Sequence, residues 1–188
     1  METVLKKEIV IDKNLCRILA LIAFVILTSL GAFVRVPLPF TPVPVTLQTF
    51  FVLLSGALLG ANLGVATQLT YALLGVSGLS LFTGTASGIT YLLGPTGGYI
   101  FGFVLSALFV GKFIKYSRNN LFSTFCILCL GDLVILSCGV IWLKFLFGHQ
   151  LTKLLSIGFI PFIPGDLIKA WLASILYLKL KSRFKEAL

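Results

Sequence analysis

The sequence is poor in what enzymes and nucleic-acid-binding proteins are built on: its 188 residues hold one histidine, six acidic residues and only 11% charged side chains. The single histidine, His149, has no serine, cysteine or acidic motif beside it, so no nucleophile is paired with a base. No P-loop ending in Gly-Lys-Ser/Thr occurs, nor an acidic strand motif for magnesium, so the chain is expected neither to hydrolyse ATP nor to be an enzyme. Cys16, Cys126, Cys129 and Cys138 all fall in apolar runs. Cys126 and Cys129 spell CILC but lack the further ligands of a zinc site, so small buried side chains are expected, with no metal and no cofactor.

What is abundant is apolar. Hydrophobic residues make up 58% of the chain and its mean hydropathy is +1.07, the composition of an integral membrane protein. One crossing takes about 20 apolar residues, which leaves room for about six. The expected fold is therefore all-α, one transmembrane domain over 1–188 with a cytoplasmic segment at 1–14 and spans near 15–34, 45–60, 62–77, 97–116, 121–147 and 161–181. The opening METVLKKEIVIDKNL is too acidic and mixed for a signal peptide, so the first run is expected to be a retained span. The second and third runs are short and meet at GANLG, with no charge to mark the turn; separate crossings are expected. Glycines 56, 60 and 64 recur every four residues, a spacing that lets membrane helices pack closely.

The net charge of +9 does not call for nucleic acid, because the basic residues cluster at the ends of apolar runs. Lys6, Lys7, Lys13 and Arg17 open the first span; Lys112, Lys115 and Arg118 lie between the fourth and fifth; Lys179, Lys181, Arg183 and Lys185 follow the sixth. Six crossings put all three groups, eleven of the fifteen basic residues, on the cytoplasmic side with both termini. Three unusual connections then face outward. RVPLPFTPVPVTLQ carries four of the seven prolines and must be extended and stiff. SGLSLFTGTASGITYLLGPTGGY is rich in Gly, Ser and Thr, and FIPFIPGD leads into the last helix.

Candidate functional residues gather at these connections. Asp166 and Lys169 share one face of the first turn of the last helix. The acid is favoured by the helix N-terminal charge and the lysine is not, so Lys169 needs another partner. The two form either an ion pair at the outer interface or the polar end of a ligand site. Glycines in GPTGGY (Gly94 to Tyr99) let backbone approach a ligand or another helix. Gln48 either packs against the loops or touches ligand. Trp142 either stacks on a ring or joins the interfacial aromatic belt. Arg35, His149 and Trp171 read as interfacial or lipid-facing. Asp132, mid-way along the fifth span, is expected to be buried or protonated; a proton-coupling role would need a second carboxylate, which the sequence does not place beside it.

In order, PLPFTPVPVTLQ, LLGVSGLSLFTG, LLGPTGGYIFGF, GVIWL and FIPGDLIKAWLA resemble the BioY family, the biotin-specific substrate-binding S components of energy-coupling factor (ECF) transporters. The similarity runs from about residue 20 to 180. It implies a bundle of six transmembrane helices in the cytoplasmic membrane, among lipids, that binds biotin from the outer side with high affinity. It also implies a transmembrane T component and two ATP-binding cassette subunits as partners. Asp166 and Lys169 of IPGDLIK correspond to residues that contact the polar head of biotin, Lys169 meeting either its ureido carbonyl or the valerate carboxylate, and Gly97, Gly98 and Tyr99 help form the pocket wall. Where some members carry an arginine after the GGY, for the ligand carboxylate, this chain has Ile100; Arg35 and Lys153 are the substitutes. In place of an asparagine among the loop glycines it offers Thr83, Thr85, Ser87 and Thr90. The first span lacks a clean Ala-xxx-Ala pattern for the T component, with Ala20, Ala23, Ser29 and Ala32 as its small residues. Two alternatives stand beside this reading: the same fold tuned to another small carboxylic-acid vitamin, and a biotin transporter that works alone.

Overall fold

The structure, a computed structural model, describes residues 13–187; Lys6, Lys7 and most of the segment 1–14 lie outside them. Helix α1 (Lys13–Phe33) leaves Leu15, Ile18, Ile22, Ile26 and Leu30 exposed and turns Phe24, Val25, Thr28, Ser29 and Ala32 inward. An apolar face left outside is what hydrocarbon accepts in place of water. The two hydroxyls bond back to their own helix, at 2.8 Å to the Phe24 and Val25 carbonyls, so they enter the bundle without an orphaned donor.

Prolines bar residues 37–44 from helix, and the chain instead makes a short antiparallel hairpin, β1 (Arg35–Val36) against β2 (Val45–Thr46), with Arg35 opposite Thr46. Val45 and Thr46, expected to open the second span, thus belong to a strand. Helix α2 (Gln48–Val76) then runs to Gly60, whose φ of 77° lies outside the helical range and suits only a residue without a Cβ. The chain reverses there. Gln48 bonds Tyr71 and Ser55 bonds Gln68, and a Cβ on Gly64 would lie 3.1 Å from Gly56 Cα, so the arms 48–59 and 61–76 run back to back. The glycine spacing serves this hairpin, as expected from its period of four.

A loop with the one-turn helix α3 (Ile89–Leu92) leads to α4 (Gly97–Phe113), and a 3-10 turn at Ile114–Ser117 leads to α5 (Leu121–Phe147). Asn120 caps α5 by accepting from Phe122 N at 2.9 Å, and Gly148 ends it in the left-handed conformation. The sequence reading missed α6 (Leu151–Gly158), too short to cross; Leu154 is buried and Leu151 and Lys153 are exposed, so it lies along α5. Last comes α7 (Ile163–Ala187). Five helical stretches among the described residues are long and apolar enough to cross a membrane. With α2 folded back on itself the polypeptide passes through the bundle six times.

The basic ends meet as topology requires. Lys115, Lys181 and Lys185 line one depression with the Gly60 turn, Arg17 another, and Lys181 donates to Asn119 Oδ1 at 2.5 Å. Gly111 of α4 lets this turn approach: a Cβ there would lie 2.3 Å from Ala61 N. The β-hairpin, the 77–96 loop and the start of α7 gather at the opposite, outer end.

Candidate functional site

Pro161 and Pro164 stop the preceding turn and start α7, which places Asp166 in the helix's first turn and Lys169 one turn on. Both are buried, 3% and 8% exposed, and form the only ion pair seen among the described residues. The hairpin and α2 complete the pair's surroundings. Lys169 Nζ donates to the Thr46 carbonyl at 2.9 Å and to Thr49 Oγ1 at 2.6 Å. With Asp166 Oδ1 as the third acceptor, all three ammonium protons are used. Thr49 donates its own hydroxyl to Asp166 Oδ1 at 3.2 Å, whereas Asp166 Oδ2 has no partner. One carboxylate oxygen is saturated and the other is free to accept.

The two residues form an ion pair, and the pair also lines a cavity of about 510 Å³, mouth included. Gln48, Thr83 and Tyr99 line it as well. Gln48 Nε2 donates to Tyr71 Oη at 2.6 Å and its Oε1 accepts from Thr83 Oγ1 at 3.3 Å; Tyr71 in turn donates to the Leu81 carbonyl at 3.3 Å. This chain of bonds ties α2 to the outer loop and leaves Gln48 oriented rather than loose. Aromatic rings form the walls: Tyr71, Tyr91, Tyr99, Phe103 and Phe162. Phe82 holds two of them from behind, stacked on Tyr91 at 4.9 Å and edge-on to Tyr71 at 5.7 Å. Tyr99 is fixed over Gly139 by a 2.6 Å bond from its hydroxyl to the Gly158 carbonyl.

Other expected residues stand behind the wall. Gly97 lies against the Leu92 carbonyl and Gly98 against Trp142, and neither lines the cavity: a Cβ would lie 1.6 Å from Leu92 O at Gly97, and 2.1 Å from Trp142 Cβ and 2.8 Å from the Cys138 carbonyl at Gly98. Trp142 Nε1 donates to the Gly94 carbonyl at 2.9 Å and its ring stacks on Phe145, so the indole braces the GPTGGY turn. Ser87 sits in the outer loop beside the Phe82–Ala86 bridge and is not among the lining residues. Ile100 lines the cavity at the arginine position noted above. Sequence reasoning missed Thr46, Thr49 and Tyr71; the signal available was a polar run, TLQT, at the mouth of an apolar stretch.

Asp132 is 6% exposed, and its Oδ1 has no partner. The sequence placed no second carboxylate beside it, and the fold corrects this: Asp132 of α5 and Asp166 of α7 line one small cavity between the two helices. The four cysteines are free, and no group that could hold a metal ion occurs among the described residues.

The arrangement sets one carboxylate with an unpartnered oxygen and one ammonium in the lining of an aromatic slot. Comparison with known proteins agrees in kind. The sequence model of the BioY family matches residues 6–186. The biotin transporter BioY of Thermotoga maritima is 40% identical over 159 residues, covering 84% of this chain and 91% of the relative. The probable biotin transporter BioY of Pyrococcus horikoshii is 39% identical over 156 residues, covering 81% and 88%. A solved structure described as the S-component for biotin from an ECF-type ABC transporter superposes with a TM-score of 0.85 at 28% identity, covering 91% of this chain and 93% of that one.

Proposed function

The chain belongs to the BioY family, and from that membership we propose that it is a multi-pass membrane protein that binds biotin and mediates its uptake, as the S component of an ECF-type transporter. The observation that carries this reading is the buried Asp166–Lys169 pair in the lining of an aromatic-walled cavity. Biotin's ureido ring presents two N–H donors and one carbonyl. The free Oδ2 of Asp166 accepts an N–H, and Lys169 exchanges one of its threonine contacts for the carbonyl. The fused rings lie against Tyr91, Tyr99 and Phe103, and Gln48 and Thr83 hold the outer loop over them.

Movement of the ligand is assigned to partners: a transmembrane T component and two ATP-binding cassette subunits in the cytoplasmic membrane. The exposed side of α1 gives them an apolar surface. Ser29 and Ala32 turn into the bundle and Ala23 outward, so that surface is mostly Leu and Ile rather than small residues. Purified protein in detergent is expected to bind biotin with submicromolar affinity by calorimetry. Binding of a different vitamin carboxylic acid in its place would overturn the substrate and spare the class. Uptake in cells lacking any T component would favour a transporter that works alone.

The valerate carboxylate needs a cation, and we assign that role to Arg35. It stands opposite Thr46 in the hairpin, and a Cβ on Gly84, next to Thr83, would lie 2.4 Å from its Nη1. The guanidinium thus rests on the outer loop at the rim. Arg35→Gln is expected to weaken biotin about tenfold, as loss of one charged hydrogen bond does, and to leave binding of biotin methyl ester unchanged. Equal losses for acid and ester would remove Arg35 from carboxylate recognition.

A further inference from the structure

Asp132 lies outside the biotin cavity and yet is tied to it. A second cavity, about 490 Å³ with its opening, lies between α5 and α7 and is lined by Asp132 and Asp166; Asp166 therefore belongs to both cavities. Each carboxyl is more than nine-tenths buried, and each has one oxygen without a partner, Asp132 Oδ1 and Asp166 Oδ2. Two ionised carboxylates cannot hydrogen-bond each other, and an orphaned acceptor in a membrane bundle is costly. A single proton removes both faults: Asp132 O–H donates to one of the two lone pairs of Asp166 Oδ2, and the second remains able to accept. Charge favours the same state. With one proton on the pair, its remaining negative charge balances Lys169; without it the buried site carries a net charge of about −1.

We infer that Asp132 and Asp166 form a proton-binding site, holding one proton between them next to the ligand cavity, and that its occupancy is linked to binding of an anionic ligand. The linkage rests on the biotin reading above; the proton site itself does not. Its sign follows from charge. Loss of the proton adds a buried negative charge beside the cavity that an anionic ligand enters, so affinity is highest with the proton bound and falls as pH rises through its dissociation. The other ionisable groups acting on the pair are Lys169 on α7, Cys129 on α5 and Tyr99 on α4.

The test has two arms. Infrared difference spectra of the ligand-free full chain, wild type minus Asp132→Asn, are expected to contain a protonated-carboxyl C=O band at neutral pH that shifts down in deuterium oxide. Absence of that band overturns the site, whatever the protein binds. In the second arm, the ratio of biotin affinities between about pH 6 and about pH 9 is measured within each protein, so a uniform effect of the substitution cancels. Wild type is expected to lose up to about tenfold per pH unit on the alkaline limb, the limit for one linked proton, and Asp132→Asn to be flat. Superimposable profiles would overturn the linkage.

Discussion

Asp166→Asn is expected to raise the Kd for biotin by about a hundredfold or more, measured by calorimetry on purified protein. The substitution keeps shape and removes charge. It exchanges an anionic acceptor for a weaker amide and leaves Lys169 as a buried cation held only by Thr46 and Thr49. Truncating one partner of a buried charged pair costs about 3–5 kcal/mol, and 3 kcal/mol is already beyond a hundredfold. Part of that cost falls on the ligand-free protein, so thermal stability must be read beside affinity. The double variant Asp166→Asn/Lys169→Met separates the two effects. Removing the stranded cation is expected to recover much of the lost stability, whereas biotin binding stays lost, because no charged group then meets the ureido ring. A double variant that regains affinity would make the pair a structural brace and move the ligand's polar head elsewhere in the cavity.

The parts legible from sequence were those written in composition and in strong local signals. Apolar runs, basic ends and the prolines of 37–44 specify where the chain crosses, which way it points and where it cannot be helical. Asp166 and Lys169 could be found because charge is rare in such a chain and a proline marked the helix start. The reversal at Gly60 was half-visible as a glycine period. What stayed hidden depends on which elements meet. Thr49 and Tyr71 are ordinary residues in apolar runs until the hairpin brings one to Lys169 and the other to Gln48. Asp132 looked solitary because its partner lies on another helix, and no spacing along the chain carries that contact. Gly98 drew attention for its motif, but its neighbour, Trp142, became known only when α4 was laid on α5.

That neighbour determines the other large effect. Gly98→Leu is expected to lower the thermal unfolding midpoint by several degrees or to abolish folding, with or without biotin. Even a Cβ would stand 2.1 Å from Trp142 Cβ and 2.8 Å from the Cys138 carbonyl, and neither is the far end of a flexible side chain. The helices must move apart, and overpacking of this kind costs about 1–3 kcal/mol, more for a side chain as long as leucine. The displacement also reaches the site, because α4 carries Tyr99, Ile100 and Phe103 into the cavity wall. Gly98→Ala provides the graded version: a smaller loss of stability, by differential scanning fluorimetry, and a smaller loss of affinity in step with it. A glycine needed only for backbone approach to the ligand gives a different pattern, with affinity lost and the ligand-free unfolding midpoint unchanged. Unchanged stability in Gly98→Ala would therefore return Gly98 to the ligand surface and require a different packing of α4 on α5.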